Sequence, residues 1–381
     1  MNVRSVRAGS VWRVTALFLV ALLLGACGAG GRQGTNSGAA GGTAPTTVAA
    51  GSRATEAGPA GGGAAPDDPA AGAGAAGQQA PAGKDYGEIR LGYQFGTSYL
   101  PVEVMVEHKL IEKRLNVKVT RQQLGGGGAL TEAVLAGSTD VVFMGLGPFF
   151  VGWAKGVDWR IAAAMQDMPI GLNSAKPGAT SVHDVGPEDR IALPGVNSIQ
   201  HVMLAMETQK QLGDPRALDD RLIAMPHPDG ERALLAGSEV TFHYTAPPYL
   251  QREVQQPGIS RIVDSYETMG QSHTFNVMVV PARFKQENPE VYQALVEAFA
   301  EATEWVKANP GEAADLMIRL GDRTEREELI AQITDPDVVW TIEPHGLEKV
   351  ATFMHEAGFI DRAPADWKEV TWENLHHLNG N

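Results

Sequence analysis

From Ile89 onward the chain alternates two apolar patterns. Short unbroken apolar strings are followed by longer stretches in which apolar residues recur at three- and four-residue spacing. The first pattern suits buried strands and the second suits helices lying on them. Ile89–Tyr93 predicts a strand, followed by a loop over Gln94–Ser98. A helix then has Pro101 near its start and Val102, Val104, Met105, Val106 and Leu110 as apolar members. A second strand over Val117–Thr120 ends at the glycine run Gly125–Gly128, with a helix from Ala129 to Gly137. A third strand over Asp140–Met144 runs into Gly145-Leu146-Gly147-Pro148.

The middle of the chain repeats the plan. Ile191–Leu193 reads as a strand, and Pro194–Ser198 as a turn with a helix cap. A helix runs from there to about Leu212. Strand Leu222–Met225, loop Pro226-His227-Pro228, helix Asp229–Ala236 and strand Val240–Tyr244 follow. Ala133–Ser138 and Ala233–Ser238 share letters at the same point of the two plans, as an internal repeat would. Strands alternating with helices imply parallel pairing and an α/β class. Further on, Phe275–Val280 reads as a strand. Asn288-Pro289 opens a long helix with Val291, Leu295, Phe299, Ala302 and Val306 on one face.

The first 87 residues carry a different pattern. Arg4, Arg7 and Arg13 precede an apolar run over Val14–Leu24, which is too short for a typical membrane span. Leu24-Gly25-Ala26-Cys27 follows and resembles a bacterial lipobox, with Cys27 as the lipidated residue after removal of 1–26. Cys27 is the only cysteine of the 381 residues, so no internal disulfide or thiolate metal cluster is available. Residues 27–87 are Gly, Ala, Pro, Ser and Thr with almost no large apolar side chain, a composition that reads as a flexible tether. Its r.m.s. reach would be roughly 40–45 Å. The formal charge is −14; removal of residues 1–26 takes three arginines and no acid and leaves −17. Such a chain lacks the basic face that nucleic acid requires.

Leu91-Gly92-Tyr93-Gln94, Gly126-Gly127-Gly128-Ala129-Leu130, Ala136–Val141 and Gly145-Leu146-Gly147-Pro148 stand in an order and spacing that resemble the nitrate/taurine/sulfonate and thiamine-precursor group of periplasmic binding proteins. In the second half, Ile191–Ser198 and Pro226–Gly237 resemble the same group. The resemblance implies a two-lobe type II periplasmic-binding-protein fold with hinge crossovers near Gly171–Val182 and Gly270–Val280. Lobe one would hold 88–176 and 275–381, and lobe two 177–274. It further implies an extracytoplasmic, monomeric lipoprotein of an ABC importer that delivers a small solute to permease and ATPase subunits, with no cofactor and no catalytic residues.

Ligands of open α/β sheets bind outside the carboxyl ends of the strands. This places candidate contacts at Gln94, Phe95 and Tyr99; at Gly126, Gly127, Gly128, Gly145 and Gly147; and at Asn197, Ser198, His201, His243, Tyr244 and Thr245. A glycine run before a helix suits an anion on free backbone N–H groups, or is simply a permissive turn. It lacks the spacing of a dinucleotide fingerprint. Asn197-Ser198 offers a second helix start, or a plain cap. Tyr93, Phe95, Tyr99, Phe149, Phe150 and Tyr244 lie in or beside these loops. Together they favour an organic solute over bare nitrate, or they pack in the core. His201, His227, His243 and His273 fall in the second half without a metal-binding spacing. Candidate solutes are an alkyl or aryl sulfonate, taurine, an aromatic carboxylate or a thiamine-type pyrimidine. An enzyme is the contrasting reading, but no nucleophile elbow, phosphate loop or metal signature occurs. A surface sensor is a third.

Overall fold

The computed structural model describes residues 84–381 except Ser238. The expected export segment, Cys27 and all but the last residues of the expected 27–87 tether lie outside the described residues.

Two five-stranded sheets carry the fold. Sheet one contains β1 (Glu88–Tyr93), β2 (Lys118–Gln123), β3 (Val141–Gly145), β4 (Trp159–Asp167) and a late strand, Thr274–Pro281, in the order β2-β1-β3-late-β4. Sheet two contains β5 (Gly171–Ser174), β6 (Ile191–Leu193), β7 (Leu222–Ala224), β8 (Phe242–Thr245) and β9 (Ser260–Asp264), in the order β7-β6-β8-β5-β9. The late strand is β10. The orders superpose term by term: β1 answers β6, β2 answers β7, β3 answers β8, β10 answers β5 and β4 answers β9. In each sheet the fourth strand arrives from the other lobe and runs antiparallel to both neighbours. The sheets are therefore mixed, where alternation of strands and helices had implied parallel pairing throughout.

Helices cover the sheets: α1 (Leu100–Glu107), α2 (Gly127–Leu135) and α3 (Leu146–Ala154) in lobe one; α4 (Ile199–Leu212), α5 (His227–Leu235), α6 (Tyr249–Val254) and α7 (Ser265–Met269) in lobe two. After β10 come α8 (Ala282–Glu287), α9 (Pro289–Ala308), α10 (Pro310–Arg319), α11 (Arg326–Ile333) and α12 (Leu347–Glu356). The apolar stripe of α9 is buried, and its Phe299 meets Phe143 of β3 with ring centroids 5.5 Å apart. Each such side chain contributes roughly 1.5–3 kcal/mol. The repeated letters fall at the ends of α2 and α5, where Gly137 and Gly237 take the left-handed conformation that closes a helix (φ 69° and 59°).

The crossovers are residues 168–170 and 270–273. The sequence reading placed the first one later. Gly171–Ser174 is instead a strand of sheet two, four residues long, with Asn173 and Ser174 fully buried. Pro169 and Gly171 give that segment the look of a loop. Gly171 is required by packing, since a Cβ there would sit 2.6 Å from the Val263 carbonyl. Ser265 links the two crossovers: its N–H donates to the Ile170 carbonyl (2.9 Å), its Oγ accepts from the Ile170 N–H (3.0 Å), and the same Oγ lies 2.9 Å from His273 Nε2. The last part of the chain touches both lobes. Trp372 Nε1 donates to the Val280 carbonyl of lobe one, and the Arg216 guanidinium of lobe two lies 3.6 Å from the Phe359 ring centroid.

Beside the hinge, buried Asp167 accepts from His345 Nδ1 at 2.7 Å and from Thr274 Oγ1 at 3.2 Å. The hydrogen bond to Asp167 raises the His345 pKa from 6.5 to about 9, against partial burial. A pKa raised on folding stabilises fully below the unfolded value and ceases to do so above the folded one. The stability difference between the native protein and His345→Gln, measured by denaturant titration, should therefore be constant below about pH 6.5 and vanish as pH passes 9. A pH-independent difference would contradict the ion pair.

Candidate functional site at the interlobe cleft

The carboxyl ends of the two sets of strands face each other, and the backbones approach closely. A Cβ on Gly126 would lie 2.5 Å from the Pro194 carbonyl oxygen, and one on Gly147 2.4 Å from that of Asn197. A Cβ on Gly145 would meet Ile199 at 2.8 Å, and one on Gly96 the Pro247 carbonyl at 2.9 Å. Neighbouring Thr97 donates its N–H to that same carbonyl at 3.2 Å. Any side chain at these positions would hold the lobes apart. The glycines thus answer to the opposite lobe, a demand that neither an anion cradle nor a permissive turn describes. Gly127 abuts Pro148 of its own lobe, and Gly128 faces open space.

Between the closed lobes lies a cavity of about 10 Å³, the room of about one water molecule. Three helix starts reach it: Gly127 of α2, Gly145 before α3 and Ser198 before α4. Their N–H groups and dipoles favour negative charge. Gln94 Nε2 donates to the Tyr99 hydroxyl (3.0 Å), which donates to Asn276 Oδ1 (3.2 Å). Asn276 Nδ2 is buried with no hydrogen-bond partner among the described residues. A buried donor without an acceptor costs free energy unless something enters to accept from it. Gln200 and His227 complete the polar wall, and burial beside His243 holds the His227 pKa well below its ordinary value.

Phe95 and Tyr99 also border a second space of about 500 Å³ that opens along the cleft. Its walls carry Tyr93, Tyr249 and four arginines: Arg121, Arg232, Arg252 and Arg323. Arg121 pairs with Glu103 (3.0 Å), which also accepts from the Tyr93 hydroxyl (2.6 Å). Arg252 pairs with Glu231 (2.5 Å) and reaches across the lobes to Asp322 (3.6 Å) and Thr324 (3.2 Å). Arg323 makes no ion pair within 4 Å among the described residues, and its side chain is exposed.

Of the candidates from sequence, Gln94, Phe95, Tyr99, Gly127, Gly145 and Ser198 meet at the small cavity. Gly126, Gly147 and the Asn197 carbonyl form the seam beside it. His201 turns away. Its Nδ1 accepts from the Asn197 N–H (3.0 Å), its Nε2 donates to Asp219 (2.9 Å), and it braces the turn from below. Burial lowers its pKa, opposed by Asp219. His243, Tyr244 and Thr245 are fully buried beneath the floor. Phe149 and Phe150 pack in the core, Phe149 against Trp159. Sequence reasoning did not place Gln200 or Asn276 at the site and did not select His227. It also missed the arginines, which reach the cleft from strand β2, helices α5 and α6 and the loop after α10. The Pro-His-Pro turn was the one sequence signal for His227.

The sequence profile of the NMT1-like family matches residues 82–320, and the chain belongs to that family. Comparison with curated proteins gives no match. Solved structures agree in fold. The alkanesulfonate-binding protein of Xanthomonas axonopodis pv. citri, bound to MOPS, superposes with a TM-score of 0.64 at 15% identity over 76% of this chain and 99% of that one. The aliphatic sulphonate-binding protein of Escherichia coli gives 0.58 at 19% identity, over 76% and 99%. The nitrate-binding protein of Synechocystis gives 0.60 at 15% identity, over 76% and 87%.

The seam makes a steric prediction. Gly126→Val and Gly147→Val each put a side chain where the opposite lobe's backbone stands, at positions whose φ any residue adopts. Small-angle scattering should show a larger radius of gyration for both variants, with secondary structure unchanged. Scattering indistinguishable from the native protein would show that the lobes are not closed on the seam.

Proposed function

We propose that this protein is the extracytoplasmic substrate-binding component of an ABC importer, anchored by lipid at Cys27. It captures a small organic anion of sulfonate or carboxylate type between its lobes and delivers it to permease and ATPase subunits. The observation that carries the reading is the meeting of three helix starts and the orphaned Asn276 amide at a cavity shared by two hinged, topologically equivalent lobes. Hinge closure around a solute is a known motion of such architectures. The sulfonate- and nitrate-binding neighbours supply the solute class by analogy. Gln94, Tyr99, Ser198 and Asn276 would contact the charged head, with Phe95 and Tyr99 carrying the organic part toward the larger space. The rings Tyr93, Phe95, Tyr99 and Tyr249 around that space favour a second candidate, an aromatic solute such as a thiamine-precursor pyrimidine.

The test is a thermal-shift screen of sulfonates, aromatic carboxylates and pyrimidines on the folded domain, followed by uptake of the hit in cells. A ligand at 100 times its Kd should stabilise by about 2.7 kcal/mol. Asn276→Ala should weaken binding of the hit by about tenfold or more, the cost of one charge-assisted hydrogen bond. Absence of any stabilising compound, or normal uptake in cells lacking the protein, would overturn the importer reading. Cys27→Ala should release the protein from the membrane fraction; retention there would refute the lipid anchor.

A further inference from the structure

Behind the cleft wall a line of buried polar groups runs into lobe two. Gln200 Nε2 is 3.2 Å from His227 Nε2, His227 Nδ1 is 3.1 Å from His243 Nε2, and His243 Nδ1 is 2.5 Å from Glu253 Oε1. Asn173 Nδ2 closes the line on Glu253 Oε2 at 2.8 Å. His243, Glu253 and Asn173 are fully buried, and only His227 and Gln200 reach the cavity. The two histidines bond to each other at hydrogen-bond distance, which leaves no space for an ion between their facing nitrogens. The sequence provides for this approach with Gly230, where a Cβ would stand 2.5 Å from His243 Nε2.

The protons follow from the fixed end. Asn173 Nδ2 donates also to the Leu250 carbonyl at 3.0 Å, so its amide orientation is set and Glu253 must accept. An ionised Glu253 then accepts a hydrogen bond from the His243 Nδ1–H. His243 Nε2 accepts from His227 Nδ1, and His227 Nε2 is left as an acceptor toward the cavity, held by the Gln200 amide. One added proton reverses the line. It binds His227 Nε2, the His227 Nδ1 proton passes to His243 Nε2, and the His243 Nδ1 proton passes to Glu253. No histidine remains charged, the buried carboxylate is neutral, and His227 Nε2 now donates to Gln200, whose amide must turn its oxygen to the imidazole and its NH₂ to the cavity.

We infer that Glu253, His243 and His227 form a proton relay that sets the hydrogen-bond sense of the cleft. Through the Gln200 amide it presents an acceptor to a solute that carries its own donor, and it presents a donor to an anionic head group only when that group arrives with one proton. The inference rests on the reading of the cleft as a solute site, yet its test requires no solute. Other groups around the relay are few. Tyr249 of α6 stacks on His227 with centroids 5.6 Å apart, and Thr245 of β8 lies 3.2 Å from His227 Nδ1. Arg252, Glu231 and Asp322 stand with Tyr249 around the larger space.

Nitrogen-detected NMR of the solute-free folded domain, with ¹⁵N in the imidazoles, reads the tautomers directly. At neutral pH both His227 and His243 should carry the proton on Nδ1. On acidification both should invert to Nε2 with one shared midpoint, without passing through imidazolium. Glu253→Gln should invert both at neutral pH, because the glutamine must turn its oxygen to Asn173 and its NH₂ to His243. Separate titration of the two rings through doubly protonated forms, or native tautomers retained in Glu253→Gln, would overturn the relay. The titration of the native protein stands alone if the variant does not fold. Failure here would leave the importer reading intact, and failure of the solute screen would leave the relay intact.

Discussion

Two polypeptide backbones meet across the cleft with no side chain between them. Gly126 against the Pro194 carbonyl and Gly147 against that of Asn197 are contacts only glycine allows. This close approach brings the helix starts at Gly127, Gly145 and Ser198 around one water-sized space. Polar links cross the same gap, among them Thr97 N–H to the Pro247 carbonyl and Arg252 to Asp322. A molecule that contacts both lobes can bias such a closure.

The matched strand orders explain why the seam is possible. Each lobe presents the same loop-bearing edge, and the paired crossovers at 168–170 and 270–273 keep the two edges facing. The match is in backbone plan and not in chemistry. Where β3 has Phe143-Met144, β8 has Phe242-His243. At this matched position lobe one carries apolar Met144, whereas lobe two carries His243, which leads to the buried carboxylate of Glu253. The cleft is therefore asymmetric in its capacity to exchange protons, although the sheets that frame it are equivalent.

Much of this was legible in the residues, and the exceptions share a cause. β6 and α4 read to the residue because apolar Ile191–Leu193 is followed by a true cap, Ser198 accepting from the His201 N–H, and α4 ends at left-handed Gly213. β5 did not read as a strand because two of its four buried residues, Asn173 and Ser174, are polar, and the partners of Asn173, Leu250 and Glu253, come from far along the chain. Of the cavity-lining residues, Gln94, Phe95, Tyr99 and Ser198 follow strand ends and were among the candidates the topology argument gave. Asn276 sits on a returning strand, and Arg121 and Arg252 on regular elements. Nothing in their local spacing separates them from structural positions. The glycine run was noticed, but the reason for Gly126 lies in the backbone of Pro194, some 70 residues away. His201 and His243 were grouped by composition, and only tertiary packing separates the brace from the relay.

The distance between the lobes tests the account most directly. Spin labels at Leu135→Cys and Leu235→Cys, on equivalent exposed positions of α2 and α5 in a Cys27→Ala background, report it by pulsed dipolar spectroscopy. Protein carrying its native solute from the host, compared with the same protein unfolded, stripped and refolded, should show one narrow distance when loaded and a broader or shifted distribution when empty. A single distribution, identical in both preparations, would contradict closure of the two lobes over a solute.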